Sequence, residues 1–263
     1  MQMSKRGSVL LVFVLMWNLS SAQKVQLDSI RWITKSLGYL YFSQGHINYN
    51  FDGIDGSKSK YAIVKDTLIM SDIYTSSADK FSKKHRDDFK FLIRNITPSR
   101  LYLKAIDPNA IKLAGNITYE FTNFKNSYDK DIKFSKLSFL SSTCYGDCPQ
   151  LGIEILANGD YKLKAGEHVG NYSGTYTGKL SAAQLDTLNY LLKHSELKKM
   201  ADWEQTGTVA DAPNYYFAIE YTNTKKKLSI TTNKPPMNVT DLISFMIRSY
   251  KSVTLRKVQE KAN

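Results

Sequence analysis

Two cysteines and four histidines are all that 263 residues contain, and this scarcity excludes several chemistries before any motif is sought. Structural zinc takes four clustered thiolate or imidazole ligands. Here His46, His85, His168 and His194 stand singly in polar or loop-edge segments, and each reads as a surface histidine. Cys144 and Cys148 lie four apart, a spacing that fits neither the C-x-x-C of dithiol oxidoreductases nor a zinc-ligand set. The G-x-S-x-G elbow, a strand-linked G-x-G-x-x-G, the P-loop and H-E-x-x-H are missing as well, which removes the usual sequence marks of acyl, dinucleotide, phosphoryl and metalloprotease chemistry. No cofactor, no metal and no catalytic residue is expected.

Long hydrophobic runs are equally scarce. The run at 9–17 is far short of the roughly 20 residues of a membrane-spanning helix. It follows Lys5 and Arg6 and precedes Ser20-Ser21-Ala22, the order of a secretory signal peptide cleaved before Gln23. No cysteine follows those small residues, so release into the periplasm or the medium is expected rather than a lipid anchor, with no transmembrane segment in the mature chain. Losing residues 1–22 leaves 34 basic residues against 24 acids, a net charge of +10. Such a charge attracts anionic partners, and export makes nucleic acid the least expected of them. The cations are scattered, from Lys83-Lys84 and Arg86 through Lys198-Lys199 to Arg256-Lys257, and read as solvated faces.

What is present is strand after strand. In the first half "GYLYF" and "HINYNF" flank Ser43-Gln44-Gly45, with Ile47, Tyr49 and Phe51 alternating onto one face. "YAIV" and "TLIMSDIY" repeat the theme across Lys65-Asp66. After a polar stretch at 76–88, "FKFLIRN" and "RLYLKAI" flank a turn through Pro98, whose fixed φ suits it. The pattern predicts an antiparallel meander, either a small barrel or a curled sheet. Residues from 107 to about 130, rich in Asn, Asp and Lys, read as a connection.

The second half mixes strands with helices. "KLSFLSS", "GIEILAN", "GDYKLKA" and "SGTYTGKL" are strands, with Asn158-Gly159 the hairpin signal between two of them. A helix follows over 181–194: Ser181 and Gln184 form a capping box, and Leu185, Leu188, Leu191 and Leu192 make one apolar stripe. "NYYFAIEYTN" and "KKLSITTN" come next. Asn238 or Thr240 then caps a last helix carrying Leu242, Ile243, Met246, Ile247 and Tyr250 inward. This order predicts an α+β layer, an antiparallel sheet with two helices on one face.

In an exported chain two cysteines near enough to meet are normally oxidised, and a turn through Tyr145-Gly146-Asp147 can bring Cys144 and Cys148 within disulfide reach. We read the pair as a structural staple, with Gly146 permitting the tight backbone and Pro149 launching the next strand. Asp202, Glu204 and Asp211 cluster after the first helix and form a candidate binding loop, although their spacing lacks the ligand order of a calcium loop.

"CYGDCP", "GIEILANGDYKL", "GTYTGKLS", "DAP" at 211–213 and the proline-containing turn into a terminal helix together resemble an uncharacterised domain family of exported bacterial proteins with a C-[FY]-G-x-C-P signature. The resemblance spans about residues 133–252 and implies no activity; Leu151 stands where members usually have an aromatic residue. Residues 30–106, by strand rhythm and "DTLIM", resemble the lipocalin-like β-domains that precede this family. The expected organisation is a signal peptide at 1–22, a lipocalin-like β-domain at 23–110, a linker at 111–132, an α+β domain at 133–255 and a basic tail at 256–263. Three functions fit: a non-catalytic binding module for an envelope protein or glycan, a lipocalin-like carrier of a small apolar ligand, or, least favoured, an envelope enzyme, either thiol-based or using Asp202, Glu204 and Asp211.

Overall fold

The computed structural model describes residues 27–51, 54–200, 209–222, 224 and 227–259. The expected signal peptide, Asp202, Glu204 and residues 260–263 lie outside the described residues. Eight antiparallel strands, paired in sequence order and joined first to last, close the barrel. They are β1 (Arg31–Ile33), β2 (Tyr39–Ser43), β3 (His46–Phe51), β4 (Ile54–Val64), β5 (Thr67–Thr75), β6 (Lys84–Ile96), β7 (Arg100–Ala105) and β8 (Thr118–Asn123). The β2–β3 turn works because Gln44 (φ 50°) and Gly45 (φ 74°) both take left-handed backbone, the twist that matches two paired strands.

Alternation then sends every second side chain inward. Leu40, Phe42, Ile47, Tyr49, Phe51, Leu68, Met70, Phe91, Leu101, Leu103 and Phe121 are all 2% exposed or less. An eight-stranded barrel has an interior just wide enough for side chains to fill or for one small ligand, and here aromatic rings fill it. Phe51 lies 5.6 Å from Tyr49, 5.5 Å from Phe91, 5.1 Å from Tyr119 and 6.3 Å from Phe121.

The barrel extends past residue 110, and the segment read as a linker supplies its closure. Helix α1 (Pro108–Ala114) is capped by Asp107, whose side chain accepts from the Ala110 amide, and ends at Gly115 in left-handed backbone (φ 74°). Strand β8 then pairs with both β7 and β1. The start and stop signals, Asp107-Pro108 and Gly115, were in the sequence; its polar residues obscured them, because α1 shows only one face to the barrel. The polar stretch at 76–88 is also reassigned. Residues 84–88 belong to β6 and pair with 71–75 of β5, and residues 72–75 and 84–87 have no second neighbour in the sheet. This two-stranded arm is wet on both sides and so carries no apolar alternation.

The second sheet is antiparallel, in the order β14-β13-β9-β10-β11-β12-β15. Its strands are β9 (Phe134–Ser141), β10 (Leu151–Leu156), β11 (Asp160–Ala165), β12 (Gly174–Lys179), β13 (Tyr215–Tyr221), β14 (Lys227–Thr232) and β15 (Arg256–Lys257). Helices α2 (Ala182–Ser195) and α4 (Met237–Ser249) cover one face, with the short α3 (Leu197–Met200) between them in sequence. Leu137, Phe139, Ile153, Ile155, Leu163, Phe217 and Ile219 meet Leu188, Leu192, Leu242 and Met246 in a core separate from that of the barrel. The fold is α+β, as the pattern predicted. The Ser181–Gln184 capping box forms.

Three expectations are corrected here. Helix α4 starts at Met237 behind Pro236 and has no side-chain cap; Asn238 instead donates to the Ser195 carbonyl and ties α4 to the end of α2. The expected basic tail contains β15, which pairs Arg256 and Lys257 with Thr177 and Tyr176. His194 is buried, 8% exposed, not a surface residue. Its Nδ1–H donates to the Ser127 carbonyl at 2.9 Å, and its ring lies 4.3 Å from that of Tyr190 and 5.3 Å from that of Phe124. The polar environment inferred from neighbouring residues in sequence was wrong because the barrel exit folds back over α2.

Candidate functional site

The Cys144–Cys148 disulfide is formed, with its Cα atoms 5.5 Å apart. Gly146 sits at φ 145°, backbone that side chains rarely adopt. The Pro149 carbonyl accepts from Ser141 Oγ at 2.5 Å, which sets the chain entering β10 against β9. Asn158 and Gly159 make the expected hairpin as a three-residue loop: Gly159 (φ 86°) donates to the Leu156 carbonyl, and Asn158 Oδ1 accepts from the Asp160 amide. Asp211 is the one described member of the predicted acidic loop. It is left-handed (φ 59°), and its carbonyl accepts from the Tyr145 amide at 3.3 Å. The structure thus joins two features that sequence kept apart, the disulfide loop and the segment at Asp211 that leads into β13. Between them Tyr145 stands 91% exposed at the tip of the staple.

Closing so short a loop removes about 2 kcal/mol of unfolded-chain entropy. Replacing both cysteines with serine is therefore expected to lower the melting temperature by only a few degrees, with the same shift on adding reductant to the unaltered protein. Global unfolding in reductant, followed by circular dichroism, would show that the staple holds far more than its own loop.

Among the described residues, the helices leave the other face of the second sheet uncovered. Register sets two rows across it. One runs Tyr216, Leu140, Gly152, Lys164, and the other Ser138, Glu154, Lys162, Thr177, Arg256. The first row floors a groove of about 430 Å³ that also reaches Ser142, Gln150 and Asn214, beside the disulfide loop. Leu140 is 50% exposed there, and a Cβ on Gly152 would stand 3.0 Å from its Cδ2, so glycine leaves Leu140 room across the strand. From Glu154 to Arg256 the second row lines a groove of about 700 Å³. Glu154 is held by Lys136 at 3.0 Å and Asp160 by Lys179 at 3.6 Å. Lys162, Lys164 and Arg256 make no ion pair among the described residues, so the face carries uncompensated positive charge beside the exposed Leu140 and the half-buried Tyr216.

Neither groove contains a nucleophile activated by a base. A histidine, a serine and an acid converge in the buried joint under α2, and its wiring is structural. Ser127 Oγ donates directly to Glu196 at 2.6 Å, Lys199 pairs with that carboxylate at 2.5 Å, and His194 holds the Ser127 carbonyl rather than its hydroxyl. Among the described residues no group of three or more His, Cys, Asp or Glu side chains could hold a metal ion. Burial pushes the Tyr161 phenol well above its ordinary range, and its hydroxyl meets Ser249 at 2.8 Å, so it is a core hydrogen bond behind the larger groove.

Sequence reasoning missed the open face, although the alternation of β9 to β12 encodes it. Fold and site together define a two-part antiparallel protein, a closed barrel ahead of an α+β layer with one bare, disulfide-edged sheet face. Residues 135–250, most of that second part, match the family described as a domain of unknown function (DUF6438). No curated protein matches the chain.

Proposed function

We propose that this is an exported, non-catalytic binding module that holds its partner on the bare face of the second sheet. The observation that carries the reading is that face itself. Leu140 and Tyr216 lie beside three cations that make no ion pair among the described residues, with Tyr145 held at one edge by the Cys144–Cys148 bridge. A rigid aromatic side chain next to a groove costs little conformational entropy to bury, as at binding hot spots. The cations favour a partner that presents carboxylates next to apolar side chains, which fits an envelope protein better than a neutral glycan. The basic leader at 1–22 and the disulfide support export to an oxidising compartment. The packed aromatic interior of the barrel supports this reading over a lipocalin-like carrier, since a ligand would have to displace fully buried rings.

The test is photo-crosslinking and pull-down from the native envelope with the chain from Gln23, in parallel with a variant carrying Tyr145→Ala, Leu140→Lys and Lys164→Glu. A partner captured by the unaltered chain and lost at least tenfold in the variant, with matched melting curves, supports the proposal. Equal capture by both places the contact elsewhere and overturns it.

A further inference from the structure

The arm formed by β5 and β6 is built unlike the rest of the barrel. Past Ser71 and Asp88 its strands have, among the described residues, no further strand beside them in the sheet, yet its tip is heavily fastened. Ser76 caps the turn at Ser77–Asp79 through its side chain, and its carbonyl accepts from the Phe81 amide at 2.8 Å. Ser82 Oγ donates to the Asp79 carbonyl at 2.7 Å. Asp79 Oδ2 lies 2.7 Å from His85 Nε2, and the His85 ring stacks on Tyr74 at 5.4 Å.

All of this holds two consecutive non-glycine residues, Lys80 (φ 54°) and Phe81 (φ 60°), in left-handed backbone. For a bulky residue that conformation is a genuine outlier, and such backbone persists where its surroundings enforce it, commonly at functional positions. The outcome is that Phe81 projects from the apex 64% exposed. Lys80, Lys83 and Lys84 surround it, exposed and without an ion pair among the described residues.

The connection from β7 to β8 leaves the barrel at the same end as this tip, because β5 and β7 run in the same direction. It adds three further exposed apolar side chains, Ile106 (47%), Ile111 (42%) and Ile117 (55%), and the cation Lys112. An apolar apex ringed by lysines matches an interface whose outer layer is anionic and whose inner layer is hydrocarbon. Lysine stems can lie along apolar surface while their ammonium groups reach phosphates, and aromatic residues insert at the headgroup boundary.

We propose that this arm docks the barrel on an anionic lipid surface, with Phe81 entering the headgroup boundary and Lys80, Lys83 and Lys84 held among the phosphates. The site is distinct from the bare sheet face and does not depend on the reading given to that face.

The experiment uses the chain from Gln23, because the apolar run at 9–17 would itself bind lipid. Co-sedimentation is measured with vesicles of phosphatidylcholine alone and with vesicles containing a third phosphatidylglycerol. Binding is expected to the anionic vesicles only and to fall in high salt. Lys80→Gln, Lys83→Gln and Lys84→Gln should each weaken it about fivefold, and Phe81→Ser about tenfold, with melting curves unchanged. A Phe81→Trp variant should show a blue shift of its tryptophan emission on adding anionic vesicles. Equal binding to both vesicle types, or Phe81→Ser binding like the unaltered chain, would overturn the proposal. So would loss of lipid binding on Lys162→Gln with Arg256→Gln, which would move the contact to the second sheet. Arm variants that abolish capture of a protein partner, in a chain that binds no vesicle, would replace lipid with protein as the occupant.

Discussion

Phe51→Ala is expected to destabilise the barrel by about 3–5 kcal/mol, the range for emptying a buried aromatic site. A small domain's total stability is about 5–15 kcal/mol, so the variant should be largely unfolded in its first half at moderate temperature. The size of the effect follows from position. Phe51 is 1% exposed and lies within 6.3 Å of four other rings from β3, β6 and β8, so removing it leaves a cavity whose walls are held by three different strands. Phe81→Ala is the matched comparison. The same side chain is removed where it is 64% exposed, and the change should stay within about 0.5 kcal/mol. Urea unfolding of both variants, followed by near-ultraviolet circular dichroism, checks the pair; similar midpoints would mean that the barrel interior is not packed as described.

The second large effect is expected at a glycine. A Cβ built on Gly56 would stand 2.0 Å from Tyr49 Cζ, its direct partner across β3 and β4. Gly56 is not in left-handed backbone, so the requirement is space alone: the tyrosine ring lies across the glycine, a pairing by which sheets shield such positions. The ring has no easy retreat. Tyr49 is 2% exposed and its hydroxyl donates to Asp72 Oδ2 at 3.0 Å, while Ser59 donates to the other carboxylate oxygen. Burial, with the Asp72 charge next in effect, holds that phenol far above its ordinary range. Gly56→Ala must therefore repack a filled core, about 1–3 kcal/mol, and forfeit a charge-assisted hydrogen bond, about 1.5–3 kcal/mol. We expect a loss of about 3 kcal/mol. In a Tyr49→Ala background the same substitution should be close to neutral, and additive effects in that double-mutant cycle would show that the ring is not the cause.

The alternation of Ile47, Tyr49 and Phe51 announced a half-buried strand, and the period of Leu185, Leu188 and Leu192 announced a helix, because both patterns repeat within a few residues along the chain. Features that depend on contact between distant segments left no such mark. Leu37 shows this most plainly: it sits in the β1–β2 turn of the barrel but is buried in the core of the second sheet, 3% exposed. Arg31 beside it pairs with Asp241 of α4, across 210 residues of sequence. His194 was misread for the same reason, its aromatic neighbours Phe124 and Tyr128 lying some 70 positions earlier.

The site divides in the same way. Cys144, Gly146 and Cys148 were legible as a staple because four residues of separation leave the chain little choice of partner. The contact of Asp211 with that loop was not, since Asp211 makes it through its backbone carbonyl, and no residue type records that.

The sequence by itself determined the strand-rich halves, the two covering helices and the disulfide, all of which follow from local periodicity, turn chemistry and composition. Only tertiary structure decided that the meander closes, because closure is one pairing, Trp32 with Asn123 and Ile33 with Thr122, between segments whose own patterns are silent about each other. It also decided which face of the second sheet stays bare. Both faces alternate with the same period, and the choice falls to whichever set of side chains, here Phe139, Ile153, Leu163 and Phe217, loses more apolar surface to water-free contact when α2 and α4 pack.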